Sequence, residues 1–234
     1  MIHLHSINKM MLSIISNLIC PAIALSMGIL SYRNLNEFWR LLFFQIVAYG
    51  ITLIISYALT AYQKSQGQDE NTQIVYNAFM LIEMLILITA AHVYFNVVWS
   101  KHLAFFAYGL FLMVFLLQIS YNGIHTFANY ASAAQSTILT LFYGAIVYQY
   151  FFFHPAPLGR SPEIWMCVGL LAFLAGCIPY ITMINYMQKT YPRENIILYG
   201  TIINILSIVR YLLLAFGFFL VHRNTLALKT KTYE

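Results

Sequence analysis

Charge is what this sequence has least of. Lys, Arg, Asp and Glu make up 8% of its 234 residues, where soluble domains carry about 25%. Such a chain cannot cover a water-exposed surface, which excludes an ordinary soluble fold. Hydrophilic runs are missing too: none exceeds about a dozen residues, too short for an appended kinase or nucleotide-binding domain. Cysteine is scarce. Cys20, Cys167 and Cys177 all fall inside apolar stretches and lack CxxC spacing, so they read as small buried hydrophobes rather than a disulfide framework. HExxH, GxSxG and Walker A patterns are absent, and no helix carries two carboxylates with a histidine, so neither an enzyme nor a resident cofactor is expected. The last apolar stretch holds no lysine, which leaves a retinal Schiff base without an attachment point.

What is present is apolar, 61% of the chain, and it comes in runs long enough to span a bilayer. The pattern predicts an all-α, polytopic transmembrane bundle of seven helices forming a single domain over 1–234. The helices are expected at Met10–Tyr32, Phe38–Gln63, Ile74–Val98, His102–Ser120, Ala131–Phe153, Ile164–Met187 and Asn195–Val221. Short connections make successive helices antiparallel neighbours. Lys9 ahead of an apolar run and Ala22-Ile23-Ala24 give the first segment some signal-peptide character, but it is read as a retained helix.

The formal charge of +5 is dispersed through loops, so it speaks for topology and not for nucleic acid. Arg33, Arg40, Lys101, Arg160, Arg223, Lys229 and Lys231 fall on one side and Lys9, Lys64, Lys189 and Arg193 on the other. The positive-inside rule then places the N-terminus outside and the C-terminus in the cytoplasm. Trp39, Trp99 and Trp165 sit at helix ends on the more basic side, as headgroup-layer indoles would. Pro21 and Pro179 interrupt helices 1 and 6 and should bend them, a common packing device in membranes that identifies no substrate.

Two ionisable residues remain inside the spans: Glu83 in helix 3 and Arg210 in helix 7. A lone charge at the bilayer centre costs at least about 2.5–3.5 kcal/mol, so an ion pair is expected. Counting about 1.5 Å of rise per residue from each helix start leaves them roughly 9 Å apart in depth, within reach of two long side chains. Pairing fits a structural clamp and a functional switch equally. Tyr76 shares the Glu83 face, and Ser207 lies one turn before Arg210. Asn77, Asn204, Tyr211, Gln135, Thr140 and Tyr143 would extend a hydrogen-bonded interior or serve as interhelical glue. Gly169, Ala172 and Gly176 give helix 6 a small-residue surface, within the bundle or between protomers. His3, His5 and His125 in outer segments read as solvated rather than as metal ligands, and His92 as a satisfied polar side chain, so no metal is expected.

Three stretches carry a resemblance: Tyr76-Asn77 followed by Leu81-Ile82-Glu83, Trp165 to Gly176 (WMCVGLLAFLAG), and Ile202 to Gly217. They resemble a group of small bacterial seven-helix membrane proteins of largely unknown function, often encoded beside sensor histidine kinases that lack a membrane sensor of their own. The resemblance implies a noncatalytic sensory or receptor-like protein of the bacterial inner membrane, with Glu83 as the matched polar position. Arg210 has no counterpart in that pattern. The expected partners are the lipid bilayer, a cytoplasmic kinase or other membrane subunit, and an apolar small-molecule ligand. The alternatives are a small proton-coupled transporter, with Glu83 as the proton site, and an accessory or scaffold subunit of a membrane complex. The chain halves show no inverted repeat, which disfavours transport. Broad apolar circumferences disfavour a pore.

Overall fold

The computed structural model describes residues 11–68, 71–153, 161–190 and 192–231, except for the side chains of 184–189, 192–199 and 228–231. His3, His5, Lys9 and Arg160, and the side chains of Lys189, Arg193, Lys229 and Lys231, lie outside the described residues. Seven described helices are long and apolar enough to cross a membrane, and no strand occurs among the described residues. They are α1 (Met11–Asn34), α2 (Glu37–Ser65), α3 (Gln73–Phe95), α4 (Val98–Asn122), α5 (Asn129–Phe153), α6 (Pro162–Thr190) and α7 (Pro192–Lys231). The protein is a multi-pass transmembrane helical bundle.

Local chemistry sets several ends differently from the hydropathy reading. The third helix stops at Phe95, not Val98, because Asn96 takes a left-handed conformation (φ 47°) that closes it. Asparagine tolerates that conformation better than most residues. The fourth helix therefore starts at Val98 rather than His102. At the other end, α7 runs for 40 residues to Lys231, well past Val221, because its polar tail continues the helix beyond the apolar stretch. Asn36 caps α2 by accepting a hydrogen bond from the Trp39 amide at 3.1 Å.

Pro21 is accommodated by a wider turn. Residues Ile15–Ile19 form a π-helical turn immediately before it, and the Cys20 amide bonds back to the Ile15 carbonyl. A proline has no N–H and its ring crowds the carbonyl four residues earlier, so a local change of helical pitch relieves both problems. Pro179 lies inside α6, where helix continues on both sides of it.

The helices close into a ring in which α7 packs along both α1 and α6, α5 along α6, and α2 along α3. Glycines set the closest approaches. A Cβ at Gly169 would stand 3.0 Å from the Leu213 Cβ and 3.3 Å from the Arg210 carbonyl oxygen, and one at Gly176 would stand 2.9 Å from Leu206. The small-residue surface of α6 is thus spent on α7 within the bundle. Outward-facing positions such as Ile54, Phe105 and Leu141 are exposed, which suits a chain whose surrounding solvent is lipid.

Trp39, in the first turn of α2, turns its indole into the bundle rather than outward: its ring packs on Phe218 at 5.1 Å between centroids, and its indole N–H donates to Glu163 at 3.4 Å. Gly217 makes this possible, since a Cβ there would lie 2.6 Å from the Trp39 ring. Trp99 is exposed, and Trp165 is half-buried against Phe216. Cys20, Cys167 and Cys177 are free thiols, all buried.

Overpacking a tight contact costs about 1–3 kcal/mol. Gly217→Val should therefore lower the melting temperature of the purified protein, whereas Gly144→Val, with nothing within 4 Å of the added carbon, should leave it nearly unchanged.

Candidate functional site

The buried polar centre of the bundle is assembled around the Glu83 carboxylate. Glu83 projects from the middle of α3, flanked on that helix by the core residues Met80, Met84 and Leu87. One oxygen, Oε1, accepts from Arg210 Nη2 of α7 at 2.7 Å and from Gln45 Nε2 of α2 at 3.0 Å. The other, Oε2, accepts from Gln135 Nε2 of α5 at 3.2 Å. One carboxylate thus ties together four helices. Its side chain retains 12% exposure, against 4% for Arg210.

The ion pair expected from the sequence forms by direct contact of the two side chains. The close approach of α6 and α7 at Gly169 sets the Arg210 backbone, and the guanidinium then reaches inward between two rings. Phe173 of α6 lies 4.8 Å from the Arg210 Cζ, and Tyr211 lies 5.4 Å from it. Aromatic faces attract a cation electrostatically, most strongly where water is excluded. Arg210 Nε is buried and has no hydrogen-bond partner among the described residues.

The polar neighbours divide into two groups. Tyr76 shares with Glu83 a cavity of about 200 Å³ between α3, α5, α6 and α7. Tyr211 packs beside Arg210 and against Tyr49 of α2, with ring centroids 5.5 Å apart. Ser207 is buried one turn before Arg210. Asn204 belongs to a second polar cluster built by the π-helical turn: it accepts from Ser16 at 2.7 Å, while Asn17 accepts from the Tyr49 hydroxyl at 3.0 Å. Tyr49 therefore joins α1 to the aromatic wall of the ion pair. π-Helical turns frequently mark functional positions.

Asn77 is not a partner of the pair. Six residues from Glu83 it points another way, and it clamps the loop between α4 and α5. Its amide donates to the Ile124 and Thr126 carbonyls at 3.0 and 2.8 Å and accepts from the Ala128 amide at 3.1 Å. That loop carries Phe127, which closes one part of the cavity beside Glu83. Of the other interior residues, Tyr143 donates to the Leu87 carbonyl at 3.0 Å, and the Thr140 hydroxyl is buried without a partner among the described residues. His92 bonds Ser100 through Nδ1 at 2.7 Å. The Ser100 hydroxyl also lies 2.7 Å from the Val97 carbonyl, so it links His92 to the start of α4. His125 is exposed.

Gln45, Ser16 and Asn17 escape a reading of the sequence alone. Gln45, Tyr49, Thr52 and Ser56 recur at helical spacing along α2, a polar stripe in an otherwise apolar span. That periodicity is the signal that points to Gln45. Comparison with family models, curated proteins and solved structures finds no match.

Removing one member of a buried ion pair typically costs about 3–5 kcal/mol, because the partner is left charged and uncompensated. Glu83→Leu and Arg210→Leu should each destabilise the folded bundle by that order. The double variant should recover much of the loss, and a double-mutant cycle measured by reversible unfolding in bicelles checks this.

Proposed function

We propose that this is a noncatalytic, receptor-like protein of the bacterial inner membrane, N-terminus outside, that passes a signal to a cytoplasmic kinase or another membrane subunit. The observation that carries the reading is the position of Glu83. Its carboxylate holds helices α2, α5 and α7 to α3, and it also lines a cavity. A ligand in that cavity touches the group on which the bundle's internal connections converge. Any difference in how it meets two packings of the helices is the coupling free energy that a receptor needs. The cytoplasmic partner and the bacterial location rest on the resemblance of the Tyr76-Asn77 to Glu83, Trp165 to Gly176 and Ile202 to Gly217 stretches.

The energetic case for a switch is one of balance. A buried ion pair contributes little net stability relative to an apolar pair, yet it is sensitive to the loss of either partner. Two donors on one carboxylate oxygen and one on the other give Glu83 more than one way to distribute its bonds. Rearranging those bonds shifts α7 against α2 and α5. The C-terminal end of α7 extends well past Val221, where a cytoplasmic partner would read the shift.

Spin labels at Phe153→Cys on α5 and Ala227→Cys on α7, both exposed helix-end sites, report the separation of the two helix ends. In lipid nanodiscs, Glu83→Gln should change the ratio of the distance populations about tenfold, equivalent to about 1.4 kcal/mol. An unchanged distribution in a normally folded Glu83→Gln variant would remove the pair from any signalling role.

A further inference from the structure

We propose that the cavity beside Glu83 is a binding site for a small, uncharged ring compound that carries a hydrogen-bond donor, the class of phenols and indoles. The size sets the first limit. A cavity of roughly 150 Å³ holds benzene, so about 200 Å³ has room for one substituted or fused ring. The lining sets the second. Phe79, Phe127 and Phe173 supply apolar faces, and Met80 and Cys177 supply sulfur, which packs well at aromatic edges.

Charge sets the third limit. Glu83 is already compensated by Arg210 at 2.7 Å, so a cationic ligand gains no unpaired partner and an anion meets a carboxylate. Burying either would carry an uncompensated desolvation cost. Hydrogen bonding sets the fourth. A carboxylate is an acceptor only, with about four lone-pair sites, and Glu83 uses three, the longest being the 3.2 Å bond from Gln135 to Oε2. A ligand O–H or N–H takes the remaining capacity or displaces the Gln135 amide, which itself lines the cavity. The Ser132 and Ser136 hydroxyls stand on the same wall.

Occupancy would touch Glu83 directly and reach Arg210 only through Phe173. Phe173 separates the cavity from the guanidinium, lying 4.8 Å from the Arg210 Cζ, while Glu83 lines the cavity directly. A second, larger groove of about 290 Å³ between α4 and α5 is lined almost wholly by carbon and lacks an ionisable group, so it offers no such selectivity and serves as an internal control. This ligand class deepens the receptor reading and rests on it for its biological meaning, although binding itself is measured without any partner.

The test uses the full chain in lipid nanodiscs, titrated with phenol, indole, toluene, benzylammonium and benzoate by saturation-transfer NMR, with empty nanodiscs subtracted. Phenol and indole should bind saturably and at least tenfold more tightly than toluene or either ion. Ser132→Phe or Ser136→Leu, whichever keeps the wild-type melting temperature, should abolish that binding, and Ala145→Phe in the α4–α5 groove should not. Equal affinity for toluene and phenol, survival of binding in the filled-cavity variant, or no saturable binding would each overturn the proposal. The probe series on the unmodified chain separates these outcomes even if both filling variants unfold. Failure here with a label shift in Glu83→Gln leaves the receptor reading standing without this ligand class. Saturable binding without any label shift keeps the site and removes the signalling.

Discussion

An arginine and a glutamate surrounded by hydrocarbon have no water to fall back on, and each lowers the cost of the other. An isolated charge at that depth costs several kcal/mol, a large share of the stability of any protein of this size. The 2.7 Å contact between Arg210 and Glu83 answers that cost, and the rest of the interior is arranged to permit it. Gly169 and Gly176 bring α6 against α7 and so fix where Arg210 begins. Phe173 and Tyr211 place their rings beside the guanidinium, which is itself buried. Gln45 and Gln135 fill further lone pairs of the carboxylate that would otherwise be buried empty.

Such a centre connects the helices more selectively than apolar packing does. Leu and Phe surfaces tolerate small slides because dispersion is nondirectional, whereas a carboxylate with three N–H donors ties α2, α5 and α7 to α3 at set distances. The π-helical turn ahead of Pro21 adds a second anchor, through Ser16 to Asn204 and through Asn17 to Tyr49. Both polar clusters meet at the Tyr49 and Tyr211 rings, so α1 is coupled to the ion pair across an aromatic contact. The cavity beside Glu83 interrupts close packing at the point where these connections converge.

The seven spans are legible in the sequence because hydrocarbon imposes length and apolarity on every helix, and those are properties of composition. The pairing of Glu83 with Arg210 is legible for a related reason: opposite charges with no other escape must meet. Boundaries set by backbone conformation are not, since the left-handed Asn96 that ends α3 leaves no hydropathy signal. Burial of Trp39 also escapes, because it depends on Gly217 of a helix distant in sequence. Proximity along the chain suggests Asn77 as a neighbour of the pair, although its side chain faces the α4–α5 loop. Gln45 is legible only through the helical spacing it shares with Tyr49, Thr52 and Ser56, and its role follows only once Glu83 of another helix reaches it.

The contact between Glu83 and Arg210 is directly measurable in a lipid bilayer. Rotational-echo double-resonance NMR on protein labelled with ¹³C at the Glu83 carboxyl and ¹⁵N in the Arg210 guanidinium reads the dipolar coupling between the two groups. A strong, rapidly developing dephasing follows from a 2.7 Å N–O contact. Dephasing indistinguishable from background would mean that the two charges find separate partners, and the arrangement built around them would be wrong.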